Sequence, residues 1–152
     1  MTRRLHLADP EATAALARDL ARTRPPHAVV WLEGSLGAGK STLARAFLRE
    51  LGVGGAIRSP TYTLVERYPV PGGEAAHLDL YRLGDAAELD FLGLDALAAD
   101  ATLWLVEWPE RGATGLPAPD LAIDLAVDGD GRTAVLKPAS KVGADWLART
   151  PS

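Results

Sequence analysis

The sequence predicts an α/β fold, a three-layer sheet with helices on both faces and additional antiparallel strands, and three observations predict it. Two short runs, Ala28 to Leu32 and Thr102 to Val106, are apolar apart from Thr102 at the start of the second, the pattern of strands buried on both faces in a parallel sheet. Stretches with helical spacing alternate with the strand-like ones. A glycine-rich turn joins the first apolar run directly to an amphipathic helix.

The elements follow in order. Asp9 suits a helix N-cap with Pro10 at the first helical position, and the alanine- and leucine-rich run behind them stops at Pro25-Pro26. Ala28 to Leu32 is the first buried strand. After the glycine-rich turn, STLARAFLREL is an amphipathic helix ending near Gly52. Thr61 to Tyr68, rich in Thr, Tyr and Val, reads as a strand. Pro71-Gly72-Gly73 is a turn, and Ala75 to Leu80 is the returning partner. Helical spacing resumes at Asp85 and runs, broken near Gly93, to about Ala99. Thr102 to Val106 is the second buried strand, followed by a proline- and glycine-rich loop. LAIDLAV and TAVLK form a hairpin around Gly129-Asp130-Gly131, and Ser140 caps a last short helix containing Trp146. Asp128-Gly129-Asp130-Gly131 also invites a calcium reading, but the loop pattern for that is incomplete, which leaves a hairpin turn.

At 152 residues the chain reads as one domain, 1–152, long enough to bury a core without staples. It contains no cysteine, which excludes disulfides, thiol chemistry and cysteine zinc sites. The net charge of −4 lacks the basic excess of a protein that grips nucleic acid directly. Asp9, Pro10 and Glu11 interrupt the N-terminus where a signal peptide would be apolar, and no apolar run approaches membrane-spanning length. A cytoplasmic protein with no membrane partner is the expectation.

The segment Gly34-Ser35-Leu36-Gly37-Ala38-Gly39-Lys40-Ser41 matches the phosphate-binding loop pattern G-x-x-x-x-G-K-[ST]. Its glycines permit positive φ and let backbone N–H groups form an anion nest. The following helix aims its positive end at the same place. Lys40 has the reach for β- and γ-phosphates, and the Ser41 hydroxyl can ligate Mg²⁺. Gly34 through Ser41, with Thr42, are the candidate nucleotide-binding residues, and the fold becomes P-loop NTPase-like. The chain contains neither Asn nor Gln, so the usual GTPase base-reading and water-positioning residues cannot exist, and ATP is the expected nucleotide.

A P-loop needs an acid near Mg²⁺, at the end of a neighbouring apolar strand. Glu107 closes LWLVE in that way, and Ser41 with Glu107 is the candidate metal pair. Trp108 is either core or a surface that stacks on a base or partner, whereas Trp31, Trp104 and Trp146 read as core. Thr61 and Thr63 are candidates for a switch-like segment responsive to nucleotide, or Thr placed in a strand by propensity. In His77-Leu78-Asp79-Leu80-Tyr81-Arg82, strand alternation puts His77, Asp79 and Tyr81 on one face. Asp79 could orient a water or support the metal, and Arg82 could neutralise charge on a γ-phosphate. A salt-bridged Asp and a solvated Arg are the plainer alternatives. Lys40, Asp79 and Glu107 are the candidate catalytic residues.

The blocks GSLGAGKS, SPTYTLVERY, HLDLYRL, ELDFLGLDAL and LWLVEWPERG, in this order, resemble the bacterial TsaE (YjeE) family over roughly Leu7 to Gly112, with a looser match beyond. The resemblance implies a P-loop ATPase required for the threonylcarbamoyl-adenosine modification of tRNAs reading codons that begin with adenine. It implies feeble ATP hydrolysis alone, partnership with TsaB and TsaD, of which TsaD performs the transfer, and contact with tRNA only through that complex. Carried over by motif, Lys40 and Ser41 bind phosphate and Mg²⁺, and Glu107 is the metal-site acid. Thr61 or Thr63 belongs to the switch-like segment, Asp79 is the important carboxylate, and Trp108 lies near the nucleotide or partner surface. Ser35 stands where the family usually has an acidic residue, and Ser41 where it often has Thr. A small-molecule kinase and a nucleotide-dependent binding switch are the competing functions.

Overall fold

The computed structural model describes residues 1–112 and 115–151. In chain order the elements are β1 (Arg3–Leu7), α1 (Pro10–Thr23), β2 (Ala28–Gly34), α2 (Lys40–Glu50), β3 (Val65–Val70) and β4 (Gly73–Asp79). A 3₁₀ segment (Ala86–Phe91), α3 (Leu94–Asp100), β5 (Ala101–Glu107) and a 3₁₀ turn (Pro109–Arg111) follow, then β6 (Leu121–Asp128), β7 (Gly131–Pro138) and α4 (Lys141–Arg149). The seven strands form one sheet in the order β1-β7-β6-β2-β5-β4-β3. The central β6, β2, β5 and β4 are parallel, and antiparallel pairings add β7 and β1 at one edge and β3 at the other.

Alternation along the central strands separates two apolar layers. Ala28, Val30 and Leu32 of β2, with Leu103 and Leu105 of β5, pack with α1, α2 and α4. Val29 of β2, Trp104 and Val106 of β5, and Ala76 and Leu78 of β4 pack on the opposite face with Leu83, Leu89 and Leu97. Helices therefore cover both faces, which is why β2 and β5 carry no polar alternation. Since Ala76 and Leu78 face α3, the intervening His77 and the following Asp79 face α2. Glu107 follows Leu103 and Leu105 onto that same face.

Local chemistry sets the element ends. The Asp9 carboxylate accepts from Ala12 N–H at 2.8 Å, a cap typically worth about 1 kcal/mol. Gly34 ends β2 where β6 comes close: a Cβ there would lie 2.2 Å from the Leu125 carbonyl oxygen. Ser140 caps α4 through Gly143 N–H and donates its own hydroxyl proton to Asp120. Trp146 is fully buried, donates to the Leu20 carbonyl at 3.1 Å and meets Phe47 edge-on.

Two expectations are corrected, and one strand comes without an expectation. Arg3–Leu7 forms an edge strand that the sequence did not announce. The strand expected from Thr61 begins only at Val65: residues 60–63 turn, closed by a 2.7 Å bond from Leu64 N–H to the Pro60 carbonyl. Thr61 bonds Ser59 and Asp79 there, and local hydroxyl chemistry overrides the β-propensity of Thr and Tyr. The helical stretch from Asp85 is 3₁₀ as far as Phe91 and α-helical only after Gly93. The expected hairpin forms, with Asp128 paired to Gly131 and Gly129 at φ 61°. The proline- and glycine-rich loop after β5 is described on either side of residues 113–114, which lie outside the described residues. No helix among the described residues is long and apolar enough to cross a membrane.

Candidate functional site

The sheet brings the carboxyl ends of β2, β5 and β4 to one edge, where open α/β sheets hold ligands. The loop between β2 and α2 lies there. Gly37 and Gly39 sit at φ 78° and 105°, with no atom within 4 Å of where a Cβ would stand. They leave an open bowl whose floor is backbone. Gly39 precedes α2 with no side-chain cap, so the first-turn N–H groups face the bowl.

A cleft of about 260 Å³ opens over it, lined by Leu36, Gly37, Gly39, Lys40, Ser41 and Thr42 of the loop and helix. Its other walls are Thr61, Asp79, Tyr81, Glu107 and Trp108. Gly34, Ser35 and Ala38 do not line the cleft: Ser35 is exposed and Ala38 is buried. Thr63 and Arg82 also fall outside the lining. Arg82 instead stacks its guanidinium 4.5 Å from the Tyr62 ring centre.

The polar side chains of the cleft hold one another. Lys40, 5% exposed, donates to the Gly34 and Ser35 carbonyls at 2.5 and 2.9 Å and lies 4.1 Å from the Trp108 ring centre. Burial pushes its ammonium below the ordinary lysine range, and the charges of Glu107 and Asp79 oppose the shift. Ser41 Oγ donates to Glu107 Oε1 at 3.0 Å. His77 Nε2 lies 2.6 Å from Glu107 Oε2. Asp79 stands opposite Glu107 in the β4–β5 register and accepts from Tyr81 N–H at 3.0 Å and from the Thr61 hydroxyl at 3.3 Å. Burial raises the Asp79 carboxyl above its usual range; the Tyr81 bond opposes this and the Glu107 charge adds to it.

Two residues of the site carried no assigned role in the sequence. Tyr81 lines the cleft and packs on Trp108 with ring centres 4.8 Å apart. Arg132 of β7 donates to the Gly37 carbonyl at 3.0 Å and tethers the loop to the far hairpin. A smaller cleft of about 160 Å³ lies on that side, between Asp9, Thr13, Asp130 and Arg132 and the loop residues Gly37, Gly39 and Thr42. Trp108 itself has φ 57°, a left-handed backbone uncommon for a bulky residue, which turns its indole back over Lys40.

The donor set fits a divalent cation with a polyphosphate. Ser41, Asp79 and Glu107 offer hard oxygen atoms, as Mg²⁺ prefers. Among the described residues no group of three or more His, Cys, Asp or Glu side chains could hold a metal by itself. Phosphate oxygens and water would have to complete the shell, the usual arrangement for Mg²⁺.

Comparison with known proteins converges on one family. The sequence model of the threonylcarbamoyl adenosine biosynthesis protein TsaE matches residues 7–134. The chain belongs to the TsaE family. The tRNA threonylcarbamoyladenosine biosynthesis protein TsaE of Haemophilus influenzae is 41% identical over 120 residues, 79% of this chain and 76% of that one. The protein of the same name from Bacillus subtilis is 37% identical over 122 residues, 80% of this chain and 76% of its own. The crystal structure of Bacillus subtilis YdiB superposes with a TM-score of 0.79 at 26% identity, covering 99% of this chain and 94% of that one. TsaE membership brings nucleotide binding and a place in tRNA threonylcarbamoyladenosine biosynthesis. The TsaE match runs on through β6 into β7, where the motif resemblance is looser, so the hairpin that carries Arg132 belongs to the shared fold.

Proposed function

We propose that this chain binds ATP with Mg²⁺ in the cleft over Gly34 to Thr42 and hydrolyses it slowly. It acts as the ATPase subunit of a cytoplasmic assembly that makes threonylcarbamoyladenosine in tRNA. TsaB and TsaD homologues are its partners, and tRNA reaches it only through them. The observation that carries this reading is the convergence of Lys40, Ser41, Asp79 and Glu107 on an open backbone bowl at one sheet edge.

Each group has a task. The loop N–H groups of the bowl take the phosphates. Lys40 exchanges the Gly34 and Ser35 carbonyls for β- and γ-phosphate oxygens. Ser41 and Glu107 would hold Mg²⁺, which when bound would offset the charge of the phosphates. Asp79 orients the attacking water, and Trp108 covers the Lys40 side of the nucleotide. Thr61, whose hydroxyl already holds Asp79, couples the 60–63 turn to the site, with Thr63 on the same switch-like segment. Weak turnover alone follows from the resting pairings: Lys40 bonds carbonyls and Asp79 bonds Thr61, so both must be released.

An ATPase assay with and without TsaB, TsaD and tRNA tests this. Slow hydrolysis alone and a rise with the full set are expected. Lys40→Ala should weaken ATP binding by about 10- to 100-fold, the worth of a charge-assisted bond. Absence of saturable MgATP binding at millimolar ligand overturns the reading. ATP consumption driven by a hydroxyl metabolite, without the tRNA components, would favour a small-molecule kinase instead.

A further inference from the structure

His77 is a buried polar group for which the proposed chemistry has no use. It is 1% exposed and stands on β4, two residues before Asp79 and opposite Leu105 of β5. Its Nε2 lies 2.6 Å from Oε2 of Glu107, which is itself 2% exposed. Its Nδ1 is buried with no hydrogen-bond partner. Burying an imidazole with one nitrogen unsatisfied costs stability, and an apolar side chain would fill the same space without that cost. The bond to Glu107 is what the position gains.

The tautomer follows. Glu107 accepts from Ser41 on Oε1, and a carboxylate offers only acceptors, so the Nε2–H of His77 donates to Oε2. The two Glu107 oxygens are thus taken from opposite sides, Oε1 by a loop hydroxyl and Oε2 by a strand histidine, and two fixed points set the carboxylate plane.

We propose that His77 is a positioning residue for Glu107: its Nε2–H occupies Oε2 and leaves Oε1, beside Ser41, as the oxygen that meets the cation or its water shell. Mg²⁺ demands near-ideal octahedral geometry, and a carboxylate free to rotate would spread its two oxygens over competing orientations. Partners that orient a metal ligand typically account for about 10- to 100-fold in metal affinity. The inference rests on the Mg²⁺–nucleotide reading above.

The test measures metal affinity and leaves turnover aside. Mn²⁺ is titrated into the full-length protein holding a non-hydrolysable ATP analogue and followed by its electron paramagnetic resonance. Nucleotide affinity is measured separately in EDTA. His77→Leu removes the donor, and His77→Gln restores an N–H near the Nε2 position. The expected result is a Mn²⁺ affinity weakened about 10- to 100-fold in the Leu variant, largely recovered in the Gln variant, with affinity in EDTA unchanged in both. Wild-type Mn²⁺ affinity in His77→Leu overturns the assignment. So does an equal loss in both variants, or a matching loss of metal-free nucleotide binding, because those are the marks of a packing role. Should His77→Leu fail to fold, the Gln variant decides: near-native metal affinity supports the proposal and its loss overturns it. Wild-type protein that binds no nucleotide in either buffer overturns the nucleotide reading and this inference together. Normal wild-type binding beside an unaffected Leu variant overturns only the role of His77.

Discussion

Asp79 shows how one buried side chain links function to stability. It is 6% exposed and sits opposite Glu107, so the fold favours its uncharged form. A carboxyl raised in the folded state contributes stability that is present below the ordinary carboxylate range and is lost as pH rises through the raised value. Asp79→Asn, which cannot ionise, is therefore expected to melt above the wild type at neutral pH, with the gap closing as the pH falls below the ordinary carboxylate range. Thermal melts from acid to neutral pH measure this. A variant less stable at neutral pH would mean that the bonds from Tyr81 N–H and Thr61 outweigh burial. In the same variant ATP hydrolysis should fall while ATP binding persists, the pattern of a group that acts on the water and not on the phosphates. Equal loss of both would remove Asp79 from that role. Ionised Asp79 would thus be a local cost retained for chemistry, in keeping with strain collected at functional sites.

Elements differ in how much of them the sequence discloses. β2, the loop and α2 were legible because each rests on local chemistry: an unbroken apolar run, glycines at fixed spacing, and a helical period. β1 was not, because RRLHL carries only two apolar residues and is a strand only through pairing with β7, more than a hundred residues away. The pairing of His77 with Glu107 was hidden for a related reason. Strand alternation aligned His77 with Asp79, but nothing local says that β4 lies beside β5 in a register placing Asp79 opposite Glu107. The capped helix α4 was legible from Ser140, but its attachment was not. Gly143 packs so close to β6's approach that a Cβ would lie 1.7 Å from the Asp120 carbonyl oxygen. Gly143→Ala must therefore displace α4 or the Asp120 backbone, at a cost of about 1–3 kcal/mol. Urea denaturation should show the midpoint falling, and ATP affinity of the folded fraction should stay unchanged, since α4 contributes nothing to the cleft lining. An unchanged midpoint would mean that the helix end gives way freely, despite the burial of Trp146 beneath it.

At the scale of the whole molecule, charge decides how tRNA can enter. Sixteen basic against twenty acidic residues leave the chain at −4, and nucleic-acid affinity without base contacts comes chiefly from neutralised phosphates. The cleft edge of the sheet adds to the difficulty, because the charges of Glu107, Asp79, Glu110 and Asp124 act on the buried ammonium of Lys40. A polyphosphate would suit that edge because the loop supplies backbone N–H groups and, in the proposed function, Mg²⁺ would arrive with the nucleotide. A tRNA backbone brings neither a matching bowl nor a charge the surface would welcome. The expected outcome is that tRNA alone neither binds saturably below about 100 μM at about 0.15 M salt nor alters ATP turnover. With TsaB and TsaD homologues added, tRNA should raise turnover. Gel-shift and steady-state ATPase measurements across a salt series separate the two routes. Tight binding by the isolated chain, weakening steeply with salt, would show a phosphate-gripping surface that the net charge conceals, and tRNA would then act on this protein directly.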